Sequence, residues 1–399
     1  MIPEIDNLIG ISVYSTKSSG SGGKIKSSQD QFFVSEIIKD KVLESISHSG
    51  TYTVYKLKKT GIDTNHALSD IFKKYGLRLK ALGLKDANAT TEQYVCDTST
   101  GKASQNVTTN KYVLEKIGHV KKPLTKKDMI GNHFKIKIED ADFNKINNFS
   151  EYDKIINFYG YQRFGSKRPV SHIIGKAIIQ RNFDFAVEAL LSYTSKYDSP
   201  ENTKIRESLK NKSEYAKTLN DIPYSMDIER IVVKEMIEHG DSLKSLRAIP
   251  IQLRRFFVEA FQSYIFNRSM SMVLENGHEV TKPQQGDVCF DANDNLGRFE
   301  NDPKQRLAIP LVGYSYSKKN RFDSEISKVL DFEQIKTKDF FIKEMQEASE
   351  EGGFRQALIS CKDFSSSEPY VSFTLSRGSY ATILLREVMK PTDPVSSGF

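Results

Sequence analysis

A lysine and an aspartate stand side by side in the segment Leu82-Gly-Leu-Lys-Asp-Ala-Asn-Ala-Thr-Thr-Glu-Gln93. The segment joins two apolar runs, so Lys85 and Asp86 fall in a turn at a strand end, where reactive groups are commonly presented. A carboxylate in such a place can attack an anomeric carbon or take a proton, and neither role needs a cofactor. The ammonium of Lys85 would bias Asp86 toward its ionised form. Judged alone, Asp86 is better suited to forming a turn or capping a helix than to catalysis. Other chemistries have no support. There is no GxSxG elbow, and the seven histidines (His48, His66, His119, His133, His172, His239 and His278) show neither HxH nor HxxxH spacing. Cys96, Cys289 and Cys361 form no CxxC pair. The Ser/Gly run Ser18–Gly23 fails as a phosphate loop, because Ser18 stands where its first glycine belongs and Ile25 follows the lysine.

The elements that must hold this turn can be read from periodicity. Residues 31–38 and 51–58 are rich in aromatic and β-branched residues and predict strands. Leu77, Leu79, Ala81 and Leu82 predict another, and Tyr94-Val95 the start of a fourth. Between them, Ala67, Leu68, Ile71, Phe72 and Tyr75 form a helical stripe over 64–75, with Asp63 as its cap and Gly76 as its stop. Alternation predicts a strand over 133–138. The longest helix is expected over 252–275, with Phe256, Phe257, Ala260, Phe261, Tyr264 and Ile265 on its apolar side. Residues 195–222 read as a polar helix or loop and 291–306 as a loop. A strand at 371–375 and a helix over 378–389 close the chain. Strands early and late around a helical middle predict an α+β fold interrupted by an insertion.

With 399 residues the chain has room for two domains, or one with a large insertion. Its formal charge is +7, an excess that permits polyanion binding. Local basic runs at Lys56/Lys58/Lys59, Lys121/Lys122, Lys126/Lys127, Arg254/Arg255 and Lys318/Lys319/Arg321 flank aromatic-rich segments. That combination favours RNA, where phosphates give affinity and rings stack on bases; with no tryptophan, stacking falls to Phe and Tyr. No apolar run is long enough to span a bilayer, and no signal segment opens the chain, so a reducing cytoplasm is expected.

Several motifs resemble the TruD family of pseudouridine synthases, whose catalytic motif the Lys85-Asp86 segment closely matches. Lys26 followed by Phe32-Phe33-Val34-Ser35-Glu36 resembles the family's opening strand, with Gln31 or Phe32 where an aspartate is usual and Asp30 close by. Lys59 with Asp63-Thr64 is similar to the next element. Gly131-Asn132-His133-Phe134 resembles "GNxF", although its residues alone suit a tight turn entering a strand. Asn157-Phe-Tyr-Gly-Tyr-Gln-Arg-Phe-Gly165 is the sharpest match; taken physically, it could equally be a hinge into an inserted domain. Gln262 to Asn267 resembles "SxxFN", where a structural role is the better reading. Phe373 to Glu387 resembles "FxLPxGSYATxxLRE", with Ser376 in place of the proline and Gly378-Ser379 opening a helix.

The resemblance spans essentially the whole chain and carries definite expectations. It implies an α+β catalytic domain with a mixed or antiparallel sheet, split into 1–165 and 355–399 by a largely helical inserted domain over 166–354. RNA would lie in a basic cleft between them. Asp86 would be the catalytic residue. Lys26, Glu36, Lys85, Asn132, Phe134, Gln162 and Arg163 would contact substrate, Asn132 near the aspartate and Phe134 against the target base. The implied reaction converts a flipped-out uridine of tRNA, commonly uridine 13, to pseudouridine, with no metal, nucleotide or redox cofactor. The implied protein is a cytoplasmic monomer. Two other readings of the residues stay open: an RNA-binding protein that keeps the scaffold and is indifferent to Asp86, and a nucleoside or glycoside hydrolase pairing Asp86 with Glu36 or Glu92.

Overall fold

The computed structural model describes residues 1–25, 28–85, 87–99 and 106–399, so Lys26 and Asp86 lie outside the described residues. Packing divides the chain into two compact units. One comprises Thr16–Ile155, Ile359–Pro391 and Ser396–Phe399; the other comprises Met1–Ser15, Ile156–Leu358 and Thr392–Val395.

The first unit is built on a mixed sheet. Its strands are β1 (Phe32–Ile38), β2 (Tyr52–Thr60), β3 (Leu79–Ala81), β4 (Thr90–Asp97), β5 (Val107–Thr108), β6 (Tyr112–Val120), β7 (Met129–Lys137), β8 (Ser365–Ser367) and β9 (Tyr370–Ser376). Among the described residues they run in the order β8-β9-β7-β1-β4-β2-β6-β5, with β3 beside β4. Every pairing is antiparallel except β1 with β4. Helix α1 (Thr64–Tyr75) forms where its stripe predicts. Asp63 accepts from the His66 amide at its start, and Gly76 takes the left-handed conformation at its end. The α1 stripe buries Ala67 and Ile71 against Tyr55, Leu57, Val95 and Leu114 of β2, β4 and β6.

In the second unit the 25-residue helix Ile251–Glu275 is central, and the helix Ser171–Ile179 packs along it. An antiparallel four-stranded sheet joins Leu296–Arg298, Val288–Phe290, Arg306–Leu311 and Gly353–Gln356 in that order. The chain therefore has the α+β class expected from sequence. No helix among the described residues is long and apolar enough to cross a membrane.

Three local expectations change. Strand β7 starts at Met129, so Gly131 and Asn132 lie within the strand instead of in a turn before it. A strand occupies Leu296–Arg298 in the stretch read as loop. The last helix, α2 (Ala381–Met389), begins three residues later than expected. Ser379 donates its amide to the Ser376 carbonyl and Gly378 has φ of +86°, so these residues form a turn ahead of the helix. The Gly378 and Ser379 amides thus do not open a helix.

Candidate active site

Strand register gathers polar side chains on one face of the sheet. In β1 the inward positions are Phe32, Val34, Glu36 and Ile38, an apolar row interrupted by one carboxylate. Glu36 lies opposite Asn132, and Val34 opposite Phe134. Phe134 in turn lies opposite Phe373, and Asn132 opposite Leu375. On the other side of β1, strand β4 turns Thr91 and Gln93 inward, and β2 sets Lys59 opposite Thr91. The face thus carries Asn132, Glu36, Gln93, Thr91 and Lys59 beside Phe134.

These groups fix the backbone that leads into Asp86. Gln93 Nε2 donates to the Gly83 carbonyl at 3.1 Å. The Lys85 amide donates to Thr64 Oγ1 at 2.9 Å, and that hydroxyl donates to Gln93 Oε1 at 2.9 Å. The Lys85 carbonyl accepts from the Thr64 amide at 3.2 Å and from Lys59 Nζ at 3.1 Å. Lys59, itself buried, also donates to the Ile62 carbonyl at 2.8 Å. Buried polar atoms need partners, and the Lys59, Thr64 and Gln93 side chains find theirs by holding one short segment in place.

The Lys85 side chain turns inward. Its Nζ lies 3.0 Å from Glu36 Oε1, with the two side chains only 7% and 0% exposed. Glu36 Oε2 accepts from the Tyr94 amide at 2.9 Å, extending the β1–β4 contact beyond the last paired residues, Ser35 and Glu92. Gly83 packs closely beside this pair. A Cβ there would stand 3.2 Å from Lys85 Nζ, 3.3 Å from Met129 Sδ and 3.4 Å from Glu36 Oε1. Between the two anchored residues, Leu84 points outward and is 69% exposed. The anchored segment thus presents an apolar side chain to solvent, where most leucines would be covered.

Asn132 Oδ1 is buried and has no hydrogen-bond partner among the described residues. Phe134 is almost fully covered: its ring stacks on Phe373 at 5.3 Å and meets Phe32 edge-on at 6.3 Å. Gly131 lets the two strands approach, because a Cβ there would fall 2.0 Å from the Leu375 carbonyl oxygen. Gln31 donates to Glu139 Oε1 at 2.8 Å just before β1. Ahead of Lys26, the Ile25 amide is tied to the Ser397 carbonyl at 2.9 Å.

Gln162 and Arg163 belong to the other compact unit. Arg163 Nη1 lies 2.9 Å from Glu259 Oε2, and its guanidinium sits over the rings of Phe256 (5.2 Å) and Tyr159 (5.6 Å). Nearby residues also secure the surrounding segment. Arg355 bonds the Asn157 carbonyl and Oδ1 at 2.8 Å each, Asn267 Oδ1 accepts the Tyr159 amide at 2.8 Å, and Tyr161 donates to Asp6 at 2.6 Å. Glu350, in the field of Glu259, has its carboxyl pushed up to about 7, mainly by burial. Of the residues named from sequence, the first unit therefore unites Glu36, Lys85, Asn132 and Phe134 on one sheet face, while Gln162 and Arg163 lie in the second.

Sequence reasoning gave no role to Gln93 and left that of Lys59 and Thr64 undefined. Their signal was register: Lys59 follows Leu57, and Gln93 precedes Val95, at inward positions of strands where a polar residue needs a reason. Among the described residues, no group of three or more His, Cys, Asp or Glu side chains is arranged to hold a metal ion.

The chain is similar to known proteins along nearly its whole length. The family model described as "tRNA pseudouridine synthase D (TruD)" matches residues 8–388. The Pyrobaculum islandicum protein named "Probable tRNA pseudouridine synthase D" is 30% identical, with 100% of this chain and 99% of that protein aligned. A protein of the same name from Methanococcoides burtonii is 29% identical over 98% of both chains. The crystal structure of a Methanosarcina mazei protein described as "Putative tRNA pseudouridine synthase D (TruD)" superimposes with a TM-score of 0.78 at 26% identity, covering 99% of each chain. With nearly its whole length matched and its fold shared, the chain belongs to the tRNA pseudouridine synthase D (TruD) family.

Proposed function

We propose that this protein isomerises a uridine of tRNA to pseudouridine, that the target is uridine 13, and that Asp86 is the catalytic aspartate. One observation carries the assignment of Asp86. The residue before it is held at its amide, its carbonyl and its side chain by Thr64, Lys59 and Glu36. A scaffold this committed to one backbone position suits a group that must meet a reacting carbon within a fraction of an ångström.

The uridine leaves its stack, at a cost of about a few kcal/mol offset by contacts in the pocket. The Asp86 carboxylate acts on the ribose, attacking the anomeric carbon or taking a ribose proton, as the bond from C1′ to N1 breaks. The detached uracil turns, and a bond forms from C5 to C1′. The C5 proton passes to solvent and N1 is reprotonated, so the reaction consumes no co-reactant. Asn132 and Phe134 border the place where the free base rotates. Leu84 meets the RNA beside the vacated position. Lys26, Glu36 and Lys85 support the aspartate and the substrate, and Gln162 and Arg163 serve from the helical unit.

In this reading the sheet unit is the catalytic domain and the helical unit is the family's insertion. The protein works in the cytoplasm as a monomer without metal or nucleotide cofactor. The direct test treats an unmodified tRNA transcript with the protein and maps pseudouridine by carbodiimide-dependent stops in reverse transcription. A single new stop at position 13 is expected. A stop elsewhere would replace the assigned position, and the absence of any stop would overturn the function.

A further inference from the structure

A polar groove of about 350 Å³ runs along the outer side of α1. Its floor is the helix row His66, Ser69 and Lys73, whose spacing sets the three on one face, away from the buried Ala67 and Ile71, with Ile62 just ahead of the helix. Its far wall is the β5–β6 turn, Thr109 to Lys111. The one carboxylate among the lining residues is Asp70, and its charge is already engaged: it accepts from Tyr112 Oη at 2.7 Å and pairs with Lys74 at 3.0 Å. His66 is bonded to Asp63. Lys73 and Lys111 are exposed, and neither makes an ion pair among the described residues.

The groove is also oriented with respect to the reaction. Thr64, in the first turn of α1, is the residue that grips Lys85. The groove reaches from that same end of the helix, at His66, to Lys73, about 10 Å along the axis. Two exposed ammonium groups outside any ion pair among the described residues, Lys111 in the field of Asp70, stand with hydroxyl and amide neighbours in an open polar trough and match the phosphodiester backbone of RNA, whose binding is dominated by lysine and arginine contacts to phosphate. An apolar ligand has little to gain there.

We propose that this groove binds phosphates of the RNA strand flanking the target uridine, with Lys73 and Lys111 as the principal contacts. The proposal rests on the reading of the protein as a tRNA-modifying enzyme. It assigns α1 two tasks, anchoring the catalytic loop at its start and guiding the strand along its outer face.

The test compares the parent protein, Lys73→Gln/Lys111→Gln and the control Lys234→Gln/Lys328→Gln, which removes the same charge from exposed positions of the helical unit. Binding to an unmodified tRNA transcript is measured from 50 to 400 mM salt, and isomerisation is measured in single turnover at saturating protein. For the groove variant, the slope of log K against log salt should flatten by about 1.4, equivalent to two phosphates at about 0.7 each. Its Kd near 0.15 M salt should rise roughly tenfold, with the saturated rate unchanged. The control should keep the parent slope. An unaltered slope in the groove variant, or equal weakening by the control, would overturn the groove. A parent protein that isomerises no tRNA would instead overturn the function and leave the binding comparison to judge the groove separately.

Discussion

Breaking the Lys85–Glu36 pair tests how the loop ahead of Asp86 is held. At 3.0 Å, and with an effective dielectric of about 20, the two charges attract by about 5 kcal/mol. Removing both from water cancels most of that gain, so the pair itself is nearly neutral for stability. Losing one partner is different, because it strands a buried charge. Lys85→Met should cost about 3–5 kcal/mol. Glu36→Leu should cost more, by about 1–3 kcal/mol, because the Tyr94 amide also loses its acceptor. The double variant should then be more stable than the sum of the singles by at least about 2 kcal/mol, since no lone charge remains. Hydrogen exchange of the β1 and β4 amides is a suitable assay, because it reads the sheet unit directly without assuming that both units unfold together. Additive effects within about 0.5 kcal/mol would refute the reasoning, as would two singles that each cost under about 1 kcal/mol.

Three other outcomes are expected. Gly131→Ala drives a methyl against the Leu375 carbonyl, and denaturant unfolding should show a loss of about 1–3 kcal/mol together with reduced activity. Leu84→Ala removes an exposed side chain, so Tm should hold steady while kcat/KM on tRNA falls about tenfold, the worth of one apolar contact; an unchanged kcat/KM would show that Leu84 does not meet the RNA. His172, buried between Phe164 and Tyr264, has its pKa pushed down from 6.5 to about 4 by burial. In that window the unfolded chain binds the proton and the folded one does not. Its contribution to stability is therefore complete above pH 6.5 and shrinks as pH falls toward 4, by up to about 3 kcal/mol. His172→Phe should flatten that part of the stability–pH curve, and a curve identical to the parent's would contradict the assignment.

Legibility differed from element to element. Helix α1 was readable to the residue because cap, stripe and stop all agree at Asp63, Ile71 and Gly76. The start of strand β7 is not legible, since its first inward positions are Met129 and Gly131, too sparse a pattern to show alternation. The short strand β3 is legible in Leu79 and Ala81, whereas β5 owes its existence to its partner β6, which local sequence does not reveal. Within the site, Lys85 and Glu36 were named from motifs 49 residues apart in the chain, but their ion pair depends on how the loop folds back over β1. The commitment of Arg163 to Glu259, 96 residues away, was likewise invisible. The network of Lys59, Thr64 and Gln93 was hidden because each looks like an ordinary polar residue until register turns it inward.

The most direct measurement uses tRNA carrying tritium at C5 of uridine, since that hydrogen is expelled to water whenever the base re-bonds through C5. The parent protein should release tritium equivalent to one uridine per tRNA, and Asp86→Asn should release none while binding tRNA with unchanged affinity. Equal release by both proteins would contradict the assignment of Asp86, and no release by the parent from any tRNA would contradict the proposed reaction itself.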